Sequence, residues 1–454
     1  MQLPSPIAAA CLALGLAACG TEAEPASTAE PGAADAAAPR SLILISIDTL
    51  RADRLGCYGE ERPTSPHLDR LAAEGVLFED AMTTSPWTLP SHASLLTGRY
   101  PSRHGMLYYT HKLASDVPVV AESFQAAGFA TACVVNTLYL SKRYGLQAGF
   151  RDFAMFDGLQ TTEMREPSPV AENATHWIRE HADEPFFAFL HFYDVHSTYA
   201  SEARFEEELV APTTSEAEGT TRFLMEVRDG TASFDERDAD HVEDLYVAGI
   251  RQMDEVLGRL IAFLDEEGLA DETVLVVTAD HGEEFLEHGG VMHGTNHFQE
   301  LMHVPLILRG PGLPAGVRVS TPVSLVDVVP TLLALFDLPP LASDGLDLSP
   351  LWRGESIGDR LLFGEADQNN EEPDTLRSIR HGKWKYVYNR LTGEAELYDL
   401  EADPLELSDV IASHPKRAKR YSTELARHLE GTIVGEPAAV FTDEERASIE
   451  ALGY

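Results

Sequence analysis

Apolar residues in this chain gather in short unbroken runs, separated by stretches with helical spacing. Leu42 to Ile47 is almost wholly apolar, the mark of a strand buried on both faces. Similar runs recur at Ala130–Val135, Phe186–Leu190, Val274–Thr278 and Val304–Leu308. Between them, Ser65-Pro66 reads as the cap and first turn of a helix, with Leu68, Leu71 and Ala72 on one face and Gly75 as the stop. Asp238 to Glu267 carries Val242, Leu245, Val256, Leu260 and Phe263 at helical spacing. Strands alternating with helices predict an α/β fold: a mainly parallel central sheet with helices on both faces. Past Pro340 the texture changes. Leu361–Phe363, Thr375–Ile379, Lys383–Tyr388 and Glu396–Leu400 read as short strands, with turns at His381-Gly382 and Thr392-Gly393. A small C-terminal antiparallel-sheet subdomain is expected there, with a helix from Pro415 to Leu429. The expected division is a main domain over 41–340, an α+β subdomain over 341–430 and a tail over 431–454.

The first forty residues belong to neither domain. Ile7 to Ala18 is apolar but too short to span a bilayer, which reads as the core of a signal peptide over 1–18. It ends in Leu16-Ala17-Ala18-Cys19-Gly20, which resembles a bacterial lipobox, although no Lys or Arg precedes the run. Cys19 is the expected lipidation site. Residues 19–40, rich in Ala, Pro, Glu and Thr, then form a flexible tether. The expectation is an exported bacterial lipoprotein, periplasmic or at the cell surface. Its membrane contact is the lipid anchor alone, since no later segment is long and apolar enough to span.

Charge narrows the partners. The 454 residues carry a formal net charge of -40. Such a surface repels nucleic acid and anionic lipid, so neither is an expected partner. An anionic substrate needs a local positive centre, which a bound metal supplies. The four cysteines form no disulfide framework and no zinc-knuckle pair. Cys57 and Cys133 read as two small buried residues, with pairing in an oxidising compartment as the alternative. The sequence carries no signal for oligomeric state.

Candidate chemistry collects at strand ends. Ligands in an open parallel sheet bind beyond the carboxyl ends of the strands. The first apolar run ends in Asp48; the run from Phe186 leads into His191, Asp194 and His196; the run from Val274 leads into Asp280-His281-Gly282-Glu283. Three such ends at one sheet edge suggest an oxygen/nitrogen metal site. Thr88 precedes Pro90, which suits a first helical turn, and Gly98 suits that helix's end. A threonine there is most simply an N-cap. A metal on its oxygen would lower the hydroxyl pKa and make it a nucleophile.

Longer motifs carry a family resemblance. Leu44-Ile45-Ser46-Ile47-Asp48, Gly56-Cys57-Tyr58-Gly59 and Thr64-Ser65-Pro66-His67-Leu68-Asp69 resemble the opening of sulfatases. The stretch Thr88-Leu89-Pro90-Ser91-His92-Ala93-Ser94-Leu95-Leu96-Thr97-Gly98-Arg99 resembles the family's signature loop. Thr278-Ala279-Asp280-His281-Gly282-Glu283, Val304-Pro305-Leu306-Ile307 and Glu396-Leu397-Tyr398-Asp399-Leu400 resemble its later motifs. The resemblance runs from about Ser41 to Glu406 and implies the alkaline-phosphatase superfamily fold. It implies one divalent metal ion (Ca, Mn, Zn or Mg) on Asp48, Asp280, His281 and Thr88, with Thr88 as nucleophile. It places His196 and His293 in the sulfate pocket.

The departures from that pattern are as informative. Sulfatases carry Cys or Ser at the Thr88 position and oxidise it to formylglycine; threonine cannot give that aldehyde, so no formylglycine is expected. The signature arginine is His92, the second Asp of the opening pair is Thr49, and two pocket lysines are Asn136 and His293. The set Asp48, Thr88, Asp280 and His281 resembles the single-metal site of phosphoethanolamine transferases and lipoteichoic-acid synthases. The expectation is a metal-dependent hydrolase, or a transferase, of anionic phosphate, phosphonate or sulfate esters. Thr88 attacks, His196 or His293 protonates the leaving oxygen, and His92, Asn136 and His191 contact substrate. Two rivals remain at this stage. One is a non-catalytic binding protein on the same scaffold. The other is a two-metal site with Asp194, His191 and His196 as added ligands.

Overall fold

The structure is a computed structural model that describes residues 38–156, 166–368 and 375–442. Cys19, the apolar run before it and the chain beyond 442 lie outside the described residues. The apolar runs form one nine-stranded sheet: β1 (Ser41–Ile47), β2 (Val76–Met82), β3 (Ala130–Val135), β4 (Asp152–Met155), β5 (Phe186–Phe192), β6 (Thr273–Thr278), β7 (His303–Arg309), β8 (Val317–Val319) and β9 (Val323–Ser324). The order is β8-β2-β7-β6-β1-β5-β3-β4, with β9 also on β2. The strands β1, β3, β5 and β6 are buried along their whole length, which is why their sequences show no alternation.

The register of the central strands builds the site. β1 pairs in parallel with β5 and β6, and Ser46 lies opposite His191 on one side and Thr278 on the other. Asp48, the segment after Phe192 and the Asp280-His281 pair therefore leave the sheet at one edge. β7 departs from the parallel pattern and runs antiparallel to both β6 and β2. An apolar run encodes burial but not direction, so the sequence pattern did not distinguish it. β7 has a register shift at Pro305, which lacks a backbone donor. The Tyr58 hydroxyl bridges that irregularity, accepting from Leu306 N at 2.9 Å and donating to Phe78 O at 2.8 Å.

Helices α1 (Pro66–Ala73), α2 (Thr88–Thr97), α3 (Glu236–Glu266) and α4 (Pro415–His428) include the three read from the sequence and the signature segment. The long α3 starts at an Asp235–Asp238 capping box. Its buried Asp254 accepts from His67 N and Leu68 N, so one helix satisfies the first amides of another. Among the described residues, no helix is long and apolar enough to cross a membrane.

The C-terminal strands β10 (Leu362–Gly364), β11 (Leu376–His381), β12 (Trp384–Asn389) and β13 (Ala395–Asp399) form a separate antiparallel sheet. Helix α4 lays Tyr421 and Leu425 on Ile379, Tyr386 and Leu397. Polar ties hold this sheet to the main domain. Lys385 Nζ lies 2.8 Å from Glu406 Oε1 with both side chains fully buried, and Glu406 Oε2 accepts from Gln299 N at 2.7 Å. Arg380 pairs with Asp80.

A buried ion pair adds little net stability, but removing one partner strands the other charge in a dry interior. Lys385→Met is expected to cost about 3–5 kcal/mol in unfolding free energy. Denaturant titration reads this directly, and a loss below about 1 kcal/mol would show that the pair does not hold the subdomain.

Candidate active site

The signature segment folds as a wholly buried helix pinned at both ends. At its start, Thr83 and Ser91 hydroxyls meet at 2.8 Å, and Ser91 Oγ donates to Asp280 O at 2.7 Å. Ser85 Oγ donates to Ala366 O at 2.9 Å, and Trp87 Nε1 donates to the same carbonyl. At its end, Gly98 takes φ 69° and packs so closely that a Cβ would stand 2.9 Å from Ser343 Cβ. Trp87, not Thr88, occupies the N-cap, and it caps nothing with its side chain. The N-cap expectation for Thr88 is thereby corrected. Thr88 is the first helical residue, and its hydroxyl turns inward, with Oγ1 3.4 Å from His281 Nε2.

Two carboxylates and one imidazole converge on that hydroxyl. His281 Nε2 lies 3.6 Å from Asp48 Oδ1 and 3.4 Å from Asp280 Oδ2. His281 Nδ1 donates to Gly282 O at 2.9 Å, so Nε2 is the nitrogen that faces the carboxylates. Gly282 cannot be larger, because a Cβ there would stand 1.9 Å from Glu300 O. Asp280 Oδ1 accepts from His281 N at 3.0 Å and Thr49 N at 3.3 Å. Asp280 Oδ2 and Asp48 Oδ1 are buried with no hydrogen-bond partner among the described residues, although His92 Nδ1 stands 3.5 Å from Asp280 Oδ2. Burial pushes both carboxyls above their ordinary pKa, and for Asp280 the neighbouring Asp48 adds to the rise. For His281, burial works downward, but the Asp280 and Asp48 carboxylates outweigh it and raise the pKa. Ligand atoms of Asp48, Asp280 and His281 all fall within 4.8 Å of one another. Two orphaned carboxylate oxygens and an outward-facing imidazole nitrogen are the donor set of a hard or borderline divalent cation.

The remaining histidines divide by what they touch. His92, at the signature arginine position, donates from Nδ1 to Thr88 O at 2.8 Å and accepts at Nε2 from Ser46 Oγ at 2.9 Å. Burial drives its pKa down to about 3, so it is neutral. With both nitrogens engaged, it braces the helix start. A second possible donor set, His92 with His191 and Asp280, shares Asp280 with the first. His191 spans Asn136 Oδ1 at 3.2 Å and Asp48 Oδ2 at 3.2 Å. Asn136 also accepts from Tyr193 N and donates to Asp194. His196 donates from Nδ1 to Ser197 O at 2.8 Å and receives the Tyr193 hydroxyl at Nε2 at 3.0 Å. His293 packs against His281 and His196, with ring centroids 4.4 Å and 4.8 Å away.

The expected site residues among the described ones thus fall in one cluster, which the added ligand Asp194 meets through the Asn136 amide rather than at the carboxylate pair. Its carboxylate is taken by Ser168 N at 2.6 Å and Ser168 Oγ at 2.7 Å. Cys57 and Cys133 are free thiols, the first half-buried and the second buried. Sequence reading gave no role to Ser46, Tyr193, Tyr199 or Glu283, all of which touch site histidines or their partners. Glu283 had a signal, its place two residues after His281; the two tyrosines had none.

A mainly parallel sheet thus gathers a hydroxyl, two carboxylates and imidazoles beyond the carboxyl ends of its strands, where ligands bind in open α/β sheets. The sulfatase family model matches residues 40–338. The choline-sulfatase of Rhizobium meliloti (strain 1021) is 26% identical over 431 residues, covering 83% of each chain. The steryl-sulfatase of Mus musculus is 31% identical, covering 78% of this chain and 71% of its own. The crystal structure of a phosphonate monoester hydrolase of Agrobacterium radiobacter superposes with a TM-score of 0.70 at 21% identity, covering 86% of this chain and 95% of the other. The chain belongs to the sulfatase family, within the alkaline phosphatase superfamily. It is a sulfuric or phosphoric ester hydrolase.

Crowded carboxylates give a prediction without turnover. After chelation, Asp280→Asn is expected to be more stable than the parent by about 1–2 kcal/mol, since it relieves a buried charge while keeping an oxygen for both amides. Divalent metal should raise the parent's melting temperature and leave the variant's unmoved. A chelated variant less stable than the parent would contradict the charge crowding.

Proposed function

We propose that this chain is a metal-dependent hydrolase of phosphate, phosphonate or sulfate esters with Thr88 as its covalent nucleophile. One observation carries the reading: the Thr88 hydroxyl sits at a buried helix start, 3.4 Å from an imidazole nitrogen that also faces Asp48 and Asp280. Asp48, Asp280 and His281 would hold one divalent ion. When bound, that ion lowers the pKa of the Thr88 hydroxyl and offsets charge on the transferred group. Thr88 Oγ1 attacks phosphorus or sulfur in line, and the bond to the leaving oxygen breaks. A neighbouring histidine, His196 or His293, exchanges a proton at that oxygen. His191 orients Asp48, and His92 fixes the backbone that carries the nucleophile. Water then releases the group from Thr88.

Threonine bears on the substrate. A group esterified to threonine leaves only by attack at phosphorus or sulfur, because the side chain cannot collapse to an aldehyde. That favours phosphate and phosphonate esters. The choline- and steryl-sulfatase relatives favour sulfate esters as the second reading.

Aryl sulfate, aryl phosphate, bis-aryl phosphate and aryl phosphonate, each tried with several divalent metals, distinguish these. Thr88→Ala is expected to lower kcat by about 10³-fold or more on whichever ester is turned over. Mass spectrometry of the quenched parent should find the adduct on the peptide holding Thr88. Equal rates for parent and Thr88→Ala would exclude the nucleophile.

The lipobox-like Leu16–Gly20 supports a further reading, export as a lipoprotein anchored through Cys19. Cys19→Ser is then expected to lose labelling by a palmitate analogue and to leave the membrane fraction; an unlabelled parent would refute the anchor.

A further inference from the structure

Positive charge is laid out unevenly on this chain of net charge -40. No Asp or Glu stands between Asp409 and Glu424, and Lys416, Arg417, Lys419 and Arg420 crowd the first two turns of α4. The helix is not stabilised by charge placed there. Cations are disfavoured near a helix N-terminus, and Lys416 meets like charge three and four residues on, at Lys419 and Arg420. Neighbouring acids do not compensate: Glu424 faces Arg427, Asp399 and Glu401 hold Lys383, and Asp359 holds His381. Among the described residues, none of the four cations forms an ion pair. Arginines elsewhere on the surface, such as Arg204 and Arg237, stand 2.8 Å from a carboxylate oxygen.

Arg417 is set as a recognition residue would be. Its guanidinium lies over the Trp384 ring, 4.3 Å from the centroid, and Nη1 donates to the Tyr421 hydroxyl at 3.1 Å. The buried Tyr421 donates in turn to His381 Nδ1 at 2.8 Å, and His381 Nε2 donates to Asp359 Oδ1 at 2.8 Å. The His414 ring meets Trp384 edge-on, with centroids 4.7 Å apart. A planar fork held by a ring and a hydroxyl suits the paired oxygens of a sulfate or phosphate group. Arg417 lines an open groove of about 550 Å³ together with Ser413, His414, Lys416 and Arg420. None of these residues belongs to the site around Thr88.

We propose that this groove is a docking site for a carbohydrate chain bearing sulfate or phosphate groups. The oxyanion follows from Arg417 and its cationic neighbours. The chain form follows from the rest of the surface. A small ester needs only the catalytic centre, whereas a polymer carries many charges across a surface of net charge -40 and is repelled at each of them. A second cationic contact holds such a polymer in place. Ser413 adds a hydroxyl that suits sugar hydroxyls. Arg417 covers the Trp384 face on which a base would stack, and a recess does not match a flat bilayer. The inference goes beyond the hydrolase reading and does not require Thr88 to be the nucleophile.

Retention on immobilised dextran sulfate tests it, with the full chain run both as isolated and after chelation, so that turnover does not enter. The parent should bind dextran sulfate and not neutral dextran, with affinity falling steeply as salt rises, since each contact releases counterions. Lys416 and Arg420 are exposed, so Lys416→Ser with Arg420→Ser keeps the fold; it should weaken binding at least about tenfold. Arg417→Lys keeps the charge but loses the fork, and should weaken binding about threefold or more. Arg222→Ser with Arg237→Ser removes the same charge from other helices and should stay within about twofold of the parent. Equal losses in the two double variants would reduce the binding to bulk ion exchange and overturn the site. So would an Arg417→Lys variant that binds like the parent, or a parent that is not retained. Binding to phosphatidylglycerol vesicles without retention on dextran sulfate would assign the groove to a membrane instead. Self-association abolished by Lys416→Ser with Arg420→Ser, again without retention, would assign it to a second copy of the chain.

Discussion

Two buried carboxylates face one imidazole nitrogen, and the rest of the site is arranged to keep them there. Ion-sized negative charge in a dry interior is costly unless it is paired. Among the described residues, Asp48 and Asp280 each leave an oxygen without a hydrogen bond, and His281 Nε2 stands between them. The strand register makes this unavoidable. With Ser46 opposite both His191 and Thr278, the residues following each strand must share one small volume. The fully buried helix α2 then closes that volume from the side, carrying Thr88 at its first turn.

Much of this was legible in the sequence, because burial on both faces of a parallel sheet writes itself as an apolar run and the site begins where the run stops. Asp48, His191 and the Asp280-His281 pair were found that way, and the long α3 from its periodicity. What failed to show has physical causes. The direction of β7 is set by its partners, not its composition. The inward turn of Thr88 depends on Trp87 taking the cap position, which no local preference favours. Asp194 looked like a ligand because it follows a strand, but Ser168, from another stretch of chain, takes both its oxygens. Tyr199 and Tyr193 reach the site through hydroxyls bonded to Glu283 and His196, whose positions only the fold defines.

The replacements of family cations by imidazoles change the electrostatics more than the geometry. A lysine or arginine brings a fixed charge; a buried neutral histidine brings a donor and an acceptor with none. Burial drives His92 to about 3 and His196 to about 4, so neither offers positive charge near neutral pH. Against them stand Asp48, Asp280 and Glu283 within a protein of net charge -40. Three carboxylates outnumber the His281 imidazole whose pKa they raise, so on its own such a pocket disfavours a phosphate or sulfate ester. On the proposed reading, the anion is admitted only once a divalent cation has reversed the local sign. Cation and substrate are then thermodynamically linked, each raising the affinity of the other by the same factor.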